Sequence, residues 1–148
     1  YDNTVFHRIS DDFMIQGGDI DHLDGRGGYA GQWFGYCDGQ EKNSSNDCDS
    51  SSWTIPDETS AENPGLLHES CTISMAKTAP PNTGGSQFFL IPEDSEPHHL
   101  DGIHTVFGEI VSGCNHVTAI SEVPTTGSQN PPSDPVNTVQ LKNAYIIV

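Results

Sequence analysis

Apolar positions along this chain come in short bursts separated by turn-forming residues. Between positions 5 and 9, strand alternation sends Val5, His7 and Ile9 to one face and Phe6 and Arg8 to the other. A second burst, Phe13, Met14 and Ile15, runs into Gln16 and the Gly17-Gly18 pair, where bare backbone permits a sharp turn and close approach by another chain. Positions 71–76 read as a strand with Cys71, Ile73 and Met75 on one side. Positions 86–91 read as another, in which Gln87 and Phe89 point the same way, and 105–111 as a third, interrupted at Gly108. A helical period occurs at Ser112, placed to cap a helix to about Ser121 with Cys114, Val117 and Ile120 on one side. Positions 136–148 alternate well enough for a final strand or two. Many short strands with intervening turns favour an antiparallel barrel or sandwich.

A length of 148 residues fits a single domain, 1–148, large enough to bury a core. Its net charge of -16, from 21 acidic and 5 basic residues, excludes a nucleic-acid partner, because phosphate binding requires clustered Lys and Arg. Such acidity, with few lysines and many Asp, Glu, Ser, Thr and Asn, fits a protein kept soluble in concentrated salt, where screening removes most self-repulsion. A halophilic protein is expected, with an acidic mesophilic domain as the alternative. No signal peptide or membrane span is visible. Cys37, Cys48, Cys71 and Cys114 form no CxxC pair and no zinc-like spacing, so free thiols and a cytoplasmic location are expected. Pairing of Cys37 with Cys48 is the alternative if the protein is exported.

From about position 31 the composition shifts to Gly, Asp, Asn and Ser. Asn43-Ser44-Ser45 is a formal glycosylation sequon. Asp47, Asp49, Ser51 and Glu58 match four ligand positions of a calcium loop, but Ser52 stands where glycine is required, and a solvated acidic loop is the reading taken. His98-His99 lacks an obvious third ligand, no nucleophile elbow supports a Ser-His-Asp triad, and no metal or cofactor is expected.

Arg8 is one of two arginines, and it stands in a β-branched and aromatic run where a rigid, always-charged fork of donors is unusual. Gln16 supplies an amide that can orient a ligand carbonyl. The run from Phe6-His7-Arg8-Ile9 to Phe13-Met14-Ile15-Gln16-Gly17-Gly18-Asp19 resembles the signature of the cyclophilins, the peptidyl-prolyl cis-trans isomerases. Two further blocks are similar in the same order: Ser74-Met75-Ala76 through Asn82-Thr83-Gly84-Gly85-Ser86-Gln87-Phe88-Phe89-Leu90, and Leu100-Asp101-Gly102-Ile103-His104-Thr105-Val106-Phe107-Gly108.

The resemblance implies a mainly β, cyclophilin-like antiparallel β-barrel with a helix. Two strands and a helix that the family carries before the first block are missing here, so the barrel is expected to be unclosed and the chain, which begins at Tyr1, to be a piece of a longer protein. Residues 29–60 become a polar, acidic insertion in the family pattern. The implied activity is rotation of Xaa-Pro peptide bonds, with Arg8 and Gln16 as catalytic residues. Phe13, Met14, Phe89 and Leu100 are implied to form the proline pocket with His104 at its rim, and Ala76, Asn82 and Gln87 to line the groove for the flanking peptide. His99 stands where many relatives place an aromatic that binds cyclosporin, so weak cyclosporin binding is expected. The implied partners are proline-containing peptides and unfolded protein clients, met by a monomer without a membrane. The alternative is a non-catalytic proline-peptide binding module or chaperone on the same fold.

Overall fold

The computed structural model describes residues 1–127 and 133–147. Its strands in chain order are β1 (Thr4–Val5), β2 (Arg8–Ser10), β3 (Met14–Gly17), β4 (Tyr36–Cys37), β5 (Gln40–Glu41), β6 (Trp53–Thr54), β7 (Thr72–Met75), β8 (Phe88–Leu90), β9 (Val106–Glu109), β10 (Thr125–Thr126), β11 (Asp134–Pro135) and β12 (Gln140–Leu141). An α-helix, α1 (Cys114–Ser121), lies between β9 and β10.

The centre is a five-stranded antiparallel sheet in the order β2-β3-β8-β7-β9. Its register decides which side chains meet, because residues directly opposite on neighbouring strands share a face. One rung runs Arg8, Gln16, Phe89, Ser74, Val106. The rung beside it runs Ile9, Ile15, Leu90, Ile73, and these project to the opposite side. There Ile9 and Ile15 are fully buried with Phe6, Phe88 and Val117 of α1. On the site face Met14, Ala76, Phe89 and Ile91 form a second cluster, with Phe13 and Leu100 at its margin.

Several expectations are corrected. Alternation from 5 to 9 is broken, since β1 pairs with β12 while β2 pairs with β3, and the two-residue link between them, Phe6-His7, places Phe6 in the core with Ile9 instead of on the face of Arg8. Cys71 precedes its strand in a left-handed conformation (φ 62°). The N-cap of α1 is Gly113 at φ 84°, with no side-chain cap from Ser112. Beyond Leu141 the described chain to residue 147 forms no strand, leaving Tyr145, Ile146 and Ile147 exposed, and Val148 lies outside the described residues. The free-thiol expectation is overturned: Cys37 is joined to Cys48 and Cys71 to Cys114.

Residues 29–60 carry a small sheet in the order β5-β4-β6. Its hairpin turns on Asp38 and Gly39, both at positive φ (47° and 78°), as a twist-matched two-residue turn requires. A Cβ at Gly39 would stand 2.7 Å from Thr83 Cγ2 and 2.8 Å from the Pro81 carbonyl, so the hairpin tip abuts the 78–85 loop. The ligand atoms of the calcium-like run are not gathered; among the described residues, those that lie within 4.8 Å of one another belong to Cys71, Glu93 and Cys114, whose sulfurs are already joined. No described helix is long and apolar enough to cross a membrane.

Candidate active site

Arg8 and Gln16 face each other across the β2–β3 hairpin, and Arg8 Nη1 donates to Gln16 Oε1 at 3.4 Å. The Gln16 amide donates in turn to Gln87 Oε1 at 2.9 Å. Gln87 Nε2 donates to the carbonyls of Gly25 at 2.9 Å and Gly27 at 2.7 Å. These contacts settle both amide orientations, since the two carbonyls accept only from an NH2 group, which turns the Gln87 oxygen toward Gln16 and the Gln16 oxygen toward Arg8. The guanidinium also lies 5.9 Å from the centroid of the Phe13 ring, and its Nε is buried without a hydrogen-bond partner among the described residues.

The loop that ends this relay is held by Asp19, which is fully buried at the end of β3. Its Oδ1 accepts the backbone N–H groups of Asp21 and His22, and its Oδ2 those of Asp24, Gly25 and Gly27. Burial alone would raise the pKa of this carboxyl, but the N–H donors of His22, Gly27 and Gly25 outweigh it and hold the group far below the ordinary range. Gly18, just before it, sits at φ 81°, and a Cβ there would come within 2.7 Å of the Phe88 ring and the Ser86 carbonyl.

Beside the relay lies a cavity of about 290 Å³ lined by Arg8, Phe13, Met14, Gln16, Ala76, Lys77, Phe89, Leu100 and His104. A second, of about 170 Å³, is lined by Gln16, Ala76 and Lys77 again, with Gly25, Arg26, Gly27, Thr78, Thr83, Gly85 and Gln87. The two form one groove that meets at Gln16, Ala76 and Lys77. In the first, Phe89 packs edge to face with His104 at 5.7 Å, and Phe13 stacks on His99 at 5.7 Å. His104 Nδ1 lies 3.0 Å from the Met75 carbonyl, which requires a proton on Nδ1, and burial pushes its pKa down. The neutral ring therefore keeps Nε2 as an acceptor. The cavity thus joins aromatic and aliphatic walls to the cationic side chains of Arg8 and Lys77, with Arg8 oriented from behind by two amides.

The profile of the cyclophilin type peptidyl-prolyl cis-trans isomerase/CLD family matches residues 1–144. The chain belongs to the cyclophilin family. A peptidyl-prolyl cis-trans isomerase-like 1 of Gibberella zeae is 38% identical over 142 residues, covering 96% of this chain and 72% of the relative. A peptidyl-prolyl cis-trans isomerase H of Mycosarcoma maydis is 32% identical over 140 residues, covering 95% and 73%. Among solved structures, a Cryptosporidium parvum cyclophilin type isomerase, crystallised in the presence of the dipeptide Ala-Pro, superposes with a TM-score of 0.69 at 28% identity, covering 97% of this chain and 73% of that one. This cyclophilin is an isomerase of Xaa-Pro bonds.

In the cyclophilin groove, eight of the residues singled out from sequence line the first cavity: Arg8, Phe13, Met14, Gln16, Ala76, Phe89, Leu100 and His104. Gln87 lines the second. His99 lines neither and reaches the site only by backing Phe13. Asn82 also lies outside both linings, and its Oδ1 accepts the Asp57 N–H at 2.9 Å. Lys77, which was not among the site residues expected from sequence, lines both cavities while its Nζ pairs with Asp57 at 3.4 Å. Its place beside Ala76 was the available signal. The glycine-loop carbonyls left no signal of their own.

Proposed function

We propose that this cyclophilin speeds Xaa-Pro rotation by binding the twisted amide more tightly than either planar form, with Arg8 as the discriminating group. Rotation meets a barrier of ~18–20 kcal/mol because the nitrogen lone pair is delocalised into the carbonyl. In the twisted state that lone pair becomes a hydrogen-bond acceptor, so a cationic donor aimed at it acts in the transition state only. The observation carrying this reading is the Arg8 guanidinium at the cavity edge, braced by Gln16 and Gln87 and with Nε unpartnered among the described residues. One charge-assisted bond is worth ~1.5–3 kcal/mol, or about one to two decades in rate. The remainder comes from the apolar cavity fixing the proline ring while the second cavity holds the residues before it.

The Ala-Pro dipeptide used with the Cryptosporidium parvum relative supports proline-containing peptides as ligands here. Unfolded or flexible proteins with exposed Xaa-Pro bonds are the proposed clients, met by a monomer. The test is turnover of a short Xaa-Pro peptide by the protein in molar salt. Acceleration of cis-trans exchange supports an isomerase; binding without acceleration supports the non-catalytic module.

The disulfides support an oxidising compartment in place of the cytoplasm. The charge of -16 supports a halophilic protein, with a melting temperature expected to rise steeply toward molar potassium chloride. Equal melting with and without salt would refute it. With His99 backing Phe13 in place of a larger aromatic, weak cyclosporin binding is proposed, and a tight dissociation constant by calorimetry would contradict it.

A further inference from the structure

The imidazole of His68 lines neither cavity, yet it is fully buried. It lies flat against Phe89, ring centroids 5.8 Å apart and planes 8° from parallel. Nδ1 is 2.7 Å from Asp101 Oδ1, and the same oxygen accepts the His68 backbone N–H at 2.8 Å. Nε2 is 2.9 Å from Ser74 Oγ, which is fully buried and 3.0 Å from the Thr105 carbonyl. Each partner adjoins a cavity wall: Asp101 follows Leu100, Thr105 follows His104, and Ser74 pairs across the sheet with Phe89. One ring ties three separate stretches of chain together behind the proline cavity.

The Ser74 hydroxyl has one proton and two acceptors within reach. Against an ionised Asp101 the ring must carry its proton on Nδ1. A neutral imidazole then presents a bare Nε2, Ser74 donates to it, and the Thr105 carbonyl keeps the Met75 N–H at 2.9 Å. An imidazolium protonates Nε2 and turns the Ser74 hydroxyl to Thr105. The charged or titratable groups facing the ring are Asp101, with His98 and His99 of the same turn, and His104 beyond Phe89. Burial, with His98 and His99, outweighs Asp101 and lowers the His68 pKa, which favours the neutral form.

We infer that His68 is a positioning residue of the isomerase site: bridged between Asp101 and Ser74 and stacked beneath Phe89, it holds Phe89, Leu100 and His104 in the arrangement that fits the twisted proline. Proton uptake places a charge beneath Phe89 and shifts the Ser74 bond to the Thr105 segment, loosening those walls. This rests on the isomerase reading.

The test on wild-type protein follows each histidine by imidazole NMR while kcat and peptide Kd are measured across the same pH range. kcat falls as His68 takes up its proton, on the acid side of the ordinary histidine range, while Kd stays level. A kcat that follows His104 instead, or stays flat as His68 titrates, overturns the inference. The His68→Asn variant keeps a donor for Asp101 but loses the ring, and it is expected to lose about tenfold in kcat with Kd changed less than about threefold. Wild-type kcat in that variant, or an equal loss of binding, also overturns it. A wild-type protein that binds Xaa-Pro peptides but isomerises none refutes the isomerase reading itself, an outcome separate from these.

Discussion

Arg8 works through what stands behind it. Its long side chain could sample many rotamers, but the Gln16 oxygen accepts from Nη1 and the Phe13 ring lies beside the guanidinium. Gln16 is itself held by Gln87, and Gln87 by two carbonyls. Replacing Gln16 with Ala removes the brace and leaves the guanidinium, so turnover is expected to fall about tenfold with little change in melting temperature. Steady-state kinetics beside thermal unfolding checks both halves. Arg8 and Gln16 were readable in the sequence because their types are out of place in an apolar strand and recur in a known signature. His68 was not, since its partners Ser74 and Asp101 lie 6 and 33 residues away. The bond from the Asp57 N–H to Asn82 Oδ1 was equally illegible, because a motif match says nothing about which backbone groups a side chain accepts from.

At the scale of elements, the central sheet brings the site together by register alone, with Arg8, Gln16, Phe89 and Ser74 on one rung. Strands β7 and β8 were visible as short apolar runs bounded by turn residues, and the helix as a period that buries Cys114 and Val117. The break between β1 and β2 was not, because it depends on a partner strand over a hundred residues later. Of the disulfides, Cys37–Cys48 was open as the alternative to free thiols, whereas Cys71–Cys114 was hidden, since no spacing rule links the two across 43 residues. That bridge ties the chain just before β7 to the start of α1, and loop-closure entropy assigns it about 4 kcal/mol against about 3 kcal/mol for Cys37–Cys48. Removing the longer bridge with Cys71→Ser and Cys114→Ser should therefore lower stability more than removing the shorter one. Denaturant midpoints of the two double variants check the order. The short bridge carries a second consequence, because its hairpin tip rests against Thr83 in the wall of the second cavity.

Over the whole molecule, acid should unfold this protein in two stages. His7, His68 and His104 all have native pKa values pushed below the ordinary 6.5, in each case by burial first. As pH falls below 6.5 the unfolded chain binds protons that the native one resists, so stability drops until the native values are reached. Asp19 and Asp101 work at lower pH. Their native pKa values lie below 3.8, so their contribution is intact above 3.8 and is lost as pH falls through the depressed values. Melting temperature against pH should thus show a shallow loss below neutrality and a steeper one in strong acid. A curve level from neutral pH down to the carboxylate range would show that the buried histidines are not held neutral.

The claim on which the rest depends is that Arg8 stabilises the twisted amide and not the bound peptide. Exchange NMR on one Xaa-Pro peptide, with wild-type and Arg8→Ala protein, measures the on-enzyme isomerisation rate and the dissociation constant together. The rate in the variant is expected to fall by about one to two decades or more while the dissociation constant moves less than about threefold. An equal loss in both, or an unchanged rate, would contradict the account and make Arg8 a binding residue only.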